Sequence, residues 1–160
     1  MANAVKTNAV RLLEHAGIEH ILHEYDTNDG KIDAVSMAAK MGVEPEMVFK
    51  TLVTVNPAKE YFVFVIPGSA TLDLKKAAKV SNSKSIEMIP QKNLLPLTGY
   101  VHGGCSPVGM KKFFPTFIDE TAQLFDTIRV SAGKVGFCVE VAPGALQEFL
   151  PAEFADLTTM

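Results

Sequence analysis

The sequence predicts a single mixed α/β domain in which a β-sheet curls toward a barrel and helices surround it. Three observations lead there. A chain of 160 residues with 48% hydrophobic content matches one ordinary core and needs no disulfide or metal to close it. About seven short strand-like runs are interrupted unevenly by helical patterns, which departs from strict β-α-β alternation. No repeat, low-complexity tract or Pro/Ser-rich linker divides the chain, so residues 1–160 read as one domain.

The elements follow in order. Ala9, Leu12, Leu13 and Ala16 repeat at helical spacing and Gly17 stops them, which predicts a helix over 7–16. Residues 18–25 read as a strand. Ile32, Val35 and Ala39 mark a second helix ending at Gly42, and Pro45 can open a further helical turn, where its missing N–H costs nothing. Strands over 50–55 and 61–66 are joined by Asn56-Pro57-Ala58-Lys59-Glu60 as a hairpin. Asp73 can cap a helix that turns Leu74, Ala77 and Ala78 inward and leaves Lys75, Lys76 and Lys79 in water. A strand over 85–89, a short helix over 91–97 and a strand over 100–102 lead into the glycine-rich stretch 103–109. Strands at 113–118, 127–131 and 137–141 and a helix over 145–150 complete the chain, with 132–136 as a tight connection.

Composition removes several classes. The longest apolar run, residues 61–66, is far too short to span a membrane. The N-terminus, Met-Ala-Asn-Ala-Val-Lys, has no apolar signal core after its single Lys, and Cys105 and Cys138 form no CxxC, so the expected compartment is the reducing cytosol. There is no GxGxxG after a strand and no P-loop, and neither a cofactor nor a metal is expected. Net charge −3 argues against gripping a long nucleic acid. That total hides an asymmetry: residues 71–112 carry seven lysines against Asp73 and Glu87 alone, a +5 segment that leaves −8 to the rest.

Four groups of residues could carry chemistry. Glycines at 103, 104 and 109 with Pro107 can bring backbone N–H groups around an oxyanion or phosphate, or can form an ordinary wide turn. Lys50, at the head of an apolar strand, either snorkels to water or points into a polar cleft. His15, His20, His23 and His102 lack metal-ligand spacing. Cys105 lies inside the glycine stretch as a nucleophile or a small buried hydrophobe.

Five blocks in order, Val48-Phe49-Lys50-Thr51-Leu52-Val53, residues 72–79, residues 98–112 (Thr98-Gly99-Tyr100-Val101-His102-Gly103-Gly104-Cys105-Ser106-Pro107 and onward), residues 115–119 and residues 130–134, resemble the YbaK/EbsC family of aminoacyl-tRNA deacylases over nearly the whole chain. The resemblance implies a barrel-like mixed α/β fold and ester cleavage, of hydrolase or lyase type, that removes cysteine wrongly attached to tRNA-Pro. It places Lys50, Gly103 and Gly104 in the catalytic set. Tyr25, Thr51, Cys105, Ser106, Pro107, Gly109, Ser131 and Cys138 then form the substrate pocket. The implied partners are the charged 3′ end of tRNA and, as a candidate, prolyl-tRNA synthetase. In such a site the substrate's own thiol attacks its ester and leaves as a thiolactone, so no Ser-His-Asp set is needed. Two departures stand out: Cys138 occupies a place where relatives often have Asp, and residues 26–31 lack an aromatic that some members carry. The alternatives are a preference for another small residue such as alanine, or a non-catalytic regulatory protein on the same fold.

Overall fold

Thr7 accepts the Val10 N–H on its hydroxyl, which starts α1 (Asn8–His15). The computed structural model describes residues 6–159; residues 1–5, read above for a leader, lie outside them. Ala9, Val10 and Leu13 of α1 face the core. Strand β1 (His20–Glu24) follows, and α2 (Ala34–Met41) is capped by the Asp33 side chain and ended by Gly42 at φ 70°. A single 3-10 turn at Pro45–Met47 leads into the hairpin of β2 (Phe49–Val55) and β3 (Tyr61–Pro67), with Lys50 opposite Ile66. Helix α3 (Leu74–Val80) starts at Asp73, whose carboxylate accepts the N–H groups of Lys75 and Lys76. Next come β4 (Glu87–Met88), α4 (Leu94–Thr98), β5 (Thr116–Asp119), β6 (Ile128–Ser131), β7 (Phe137–Val141), α5 (Pro143–Phe149) and β8 (Ala152–Ala155).

The strands form two sheets where one curling sheet was expected: an antiparallel β1-β7-β6 ribbon and a five-stranded β4-β2-β3-β5-β8 sheet in which β3, β5 and β8 run parallel. A bridge between Val48 and Arg129 brings the head of β2 beside β6. The main core lies between the sheets and α1, around Leu13, Val65, Ile118, Ile128 and Leu146, and a second cluster around Phe64 packs beneath α3.

Four local expectations change. Residues 100–102 are not a strand, because Gly99 and Gly103, at φ 87° and 85°, turn the chain on either side. Leu74, the first residue of α3, is exposed rather than buried. Lys76 is drawn out of open water by Asp156, 2.9 Å away. Strand β8 was not foreseen; it pairs with β5 from a position far along the chain. No helix among the described residues is long and apolar enough to cross a membrane.

Candidate functional site

The head of β2 opens into a cleft of about 520 Å3. Lys50 and Thr51 lie on its wall, and Gly103, Cys105 and Ser131 reach it from the other sheet and the glycine stretch. Five of the expected site residues are therefore brought together from three distant parts of the chain.

Because Lys50 stands opposite Ile66, it shares a face with Gly68 two residues further on. Its Nζ donates to the Gly68 carbonyl at 3.2 Å. No carboxylate pairs with it among the described residues, and burial lowers its pKa from the ordinary lysine range. The Thr51 hydroxyl is buried with no hydrogen-bond partner among the described residues, which is costly unless a ligand satisfies it. Ser131 spends one lone pair on the Gly133 N–H at 3.1 Å and keeps its own hydrogen free.

The glycine stretch is two-sided. The Gly104 N–H donates to the Val101 carbonyl at 2.9 Å, so it is closed within a turn and cannot serve an oxyanion; Gly104 instead allows close packing, since a Cβ there would lie 3.1 Å from the Val135 nitrogen. The N–H groups of Gly103 and Cys105 donate to no protein acceptor among the described residues. Ser106 is fully buried and accepts the Val108 N–H. Pro107 and Gly109 face away from the cleft and line a smaller groove of about 260 Å3 with Met110, Lys112 and Phe113. The whole stretch is pinned by Tyr100, whose hydroxyl donates to the Val108 carbonyl and whose ring fills the space left by Gly109 and Gly133.

Tyr25 and Cys138 do not line the cleft either. Both pack beneath α2 with Met37, Ala38 and Val48, and the Tyr25 hydroxyl is unpartnered there. Cys138 sits 3.6 Å from the Met41 sulfur, so its influence on the cleft would pass through α2, whose Met37 does line it. Burial pushes the Cys105 thiol up to about 12 and the Cys138 thiol up to about 11. Neither is a thiolate near neutral pH. The lysines of α3 are absent from the lining, so the basic middle segment does not converge on the cleft; the cations there are Lys50, Lys31 and, when protonated, His102.

Sequence reasoning missed Gly68, Ile32 and Met37. A Cβ on Gly68 would approach the Ala34 Cβ to 1.9 Å, and one on Gly103 would meet Ile32 at 2.5 Å. These contacts seat the start of α2 against both walls of the cleft. The only advance signal was the glycines themselves. Among the described residues, no group of three His, Cys, Asp or Glu side chains is arranged to hold a metal ion.

Comparison with known proteins decides the family. The family model for the aminoacyl-tRNA editing domain matches residues 30–149. The chain belongs to the aminoacyl-tRNA editing domain family. This editing domain is 46% identical over 154 residues to a protein of Enterococcus faecalis (strain ATCC 700802 / V583) named "Putative Cys-tRNA(Pro)/Cys-tRNA(Cys) deacylase EbsC", a match covering 96% of this chain and 94% of that one, in line with the resemblance to YbaK/EbsC proteins. The fold of the editing domain is shared with the crystal structure of a "putative trans-editing enzyme for prolyl tRNA synthetase", at TM-score 0.83, 23% identity, and coverage of 98% of this chain and 100% of that one. It is also shared with "hypothetical protein APE2540", at TM-score 0.85 and 21% identity, over 93% and 97% of the two chains.

Proposed function

We propose that this chain acts in trans as a single-domain aminoacyl-tRNA deacylase that removes cysteine mischarged onto tRNA-Pro, with the bridged pair of sheets serving as an incompletely closed barrel around the cleft. The observation that carries the reading is a cleft with a half-buried lysine and free backbone N–H groups but, among the described residues, no ion-pair partner for that lysine and no activated protein nucleophile. Lys50 has no acid partner among the described residues, and the thiols of Cys105 and Cys138 stay protonated.

Such a site suits a substrate that supplies its own nucleophile. The cysteine sulfur attacks the ester carbonyl carbon and a C–S bond forms. Negative charge develops on the carbonyl oxygen, where the N–H groups of Gly103 and Cys105 and the Lys50 ammonium stabilise it. The bond to the terminal ribose oxygen then breaks, that oxygen takes the proton the thiol has lost, and a thiolactone departs. The Thr51 and Ser131 hydroxyls are the free hydrogen-bonding groups available to orient the substrate. A second site of this kind has a physical purpose: a small apolar pocket in a synthetase separates near-isosteric amino acids by only roughly 1–3 kcal/mol. The charged tRNA 3′ end is the substrate. Prolyl-tRNA synthetase is a candidate presenter of it, and the cytosol is the proposed compartment.

Incubation with Cys-tRNA(Pro), Ala-tRNA(Pro) and a serine-charged tRNA tests this. Cysteine is expected to be released while serine, of similar size but a weaker nucleophile, is spared; preferential release of alanine would overturn the choice of substrate. Lys50→Ala should lower the rate by roughly 100-fold or more, the scale of a lost transition-state donor.

A further inference from the structure

We propose that Lys31 binds a backbone phosphate of the tRNA 3′ end at the mouth of the cleft, and that Lys40 is the positioning residue that holds it there. This rests on the reading of the cleft as an editing site.

Three observations carry it. First, the loop of residues 26–31 is wrapped around one ammonium. Lys40 Nζ donates to the Asp26 carbonyl at 2.6 Å, the Lys31 carbonyl at 2.8 Å and Asp29 Oδ1 at 2.8 Å. Asp29 Oδ1 in turn accepts the Lys31 N–H at 2.9 Å, so Lys31 is fixed at both its N–H and its carbonyl by one ion pair. These bonds offset the entropy of ordering an exposed six-residue loop, about 1–2 kcal/mol per residue, and fix the point from which the Lys31 side chain departs.

Second, the fixed residue lines the cleft and is free. Lys31 makes no ion pair among the described residues, as is also true of Lys50. Third, no carboxylate in the lining answers these two ammonium groups. The one acid there, Asp33, is engaged at both oxygens by Ser36, through Oγ at 2.7 Å and N–H at 3.0 Å. Asp29, outside the lining, pairs with Lys40 at 2.8 Å and feels the charge of Lys31 only as a lesser influence. The lining therefore holds two ammonium groups, one inside and one at the lip, against a single carboxylate that is itself bound by Ser36 and pairs with neither. An ester between cysteine and ribose uses only the inner one. The next anion along such a substrate is a phosphodiester, and a lysine at the lip meets it as a point charge.

The test is steady-state deacylation of Cys-tRNA(Pro) at several salt concentrations, together with binding of an uncharged, CCA-ended acceptor minihelix followed by fluorescence anisotropy. Lys31→Ala should raise KM roughly tenfold with kcat within about twofold, and should flatten the salt dependence of minihelix binding by about one unit of slope. Lys40→Ala should reproduce the KM change, and the double variant should be no worse than either single one, because Lys40 acts through Lys31. Additive effects would overturn the role of Lys40. Melting curves identify any variant that fails to fold, and Lys31→Glu, a change at an exposed side chain, tests the phosphate contact independently of the loop. Unchanged KM and salt slope in both Lys31 variants, with wild-type deacylation intact, would overturn the phosphate contact and leave the proposed function standing. No release of amino acid by the wild type, with Lys31-dependent minihelix binding, would do the reverse.

Discussion

A methyl group on Gly68 would stand 1.9 Å from the Ala34 Cβ and 3.2 Å from the Val48 carbonyl oxygen, so here the shape of the cleft depends on a missing side chain. The Gly68 N–H donates to Val48 at 2.7 Å and its carbonyl accepts from Lys50, which ties the last turn of the hairpin to both the head of β2 and the start of α2. Gly68→Ala is expected to cost about 1–3 kcal/mol of stability through overpacking, and to push α2 outward. A melting curve reads the first effect, and a rise in KM for charged tRNA reads the second. Lys50 itself was legible in the sequence as a cation stranded at the head of an apolar strand. Gly68 was not: nothing within residues 61–70 signals that a helix more than thirty positions earlier presses against that glycine.

Elements with local causes were readable, and elements with distant causes were not. Gly17 and Gly42 end α1 and α2, Asp73 caps α3, and the β2-β3 hairpin turns at 56–60, each for a reason contained within a few residues. Strand β8 exists because β5 offers it an edge, and the segment 100–102 fails to be a strand because two left-handed glycines bracket it. Tyr25 and Cys138 carry strand-like neighbours, yet which side of the ribbon faces the cleft is settled only by where α2 lands. The glycine stretch depends in a similar way on Tyr100. Removing its hydroxyl with Tyr100→Phe leaves the buried Val108 carbonyl without its donor, at a cost of about 1–3 kcal/mol. The loosened stretch should reduce kcat more than it raises KM, because the N–H groups of Gly103 and Cys105 would no longer be held for the transition state. A Tyr100→Phe enzyme with unchanged kcat would show that the stretch is held by its glycine contacts alone.

Across the whole molecule, stability is bounded by a different set of groups at each end of the pH scale. Glu140 joins β7 to β1 and β6, accepting from the Thr127 hydroxyl at 2.6 Å and pairing with His23 at 2.8 Å and with Arg129 at 3.5 Å. Those partners, Thr127 foremost, hold its carboxyl below the usual glutamate range. Its contribution is therefore complete above the unfolded-state value and is lost as pH falls through the lower native one. Melting temperatures followed from pH 6 to 3 should drop less steeply in Glu140→Gln than in the wild type. At the alkaline end the sign reverses: Tyr100 and Cys105 are pushed up to about 12 by burial, so the protein loses stability as pH rises from the ordinary tyrosine and thiol ranges toward that value. The sheltered thiols of Cys105 and Cys138 have a consequence for life under oxidative stress. Peroxide attacks thiolate far faster than thiol, and a hydrolase that relied on an activated cysteine would be silenced by the oxidants that also damage the cell's pool of free cysteine. This protein keeps both of its sulfhydryls protonated and buried, so treating it with millimolar hydrogen peroxide at neutral pH, removed before charged tRNA is added, should leave its deacylation rate intact and yield no sulfenic acid at Cys105 or Cys138 by mass spectrometry.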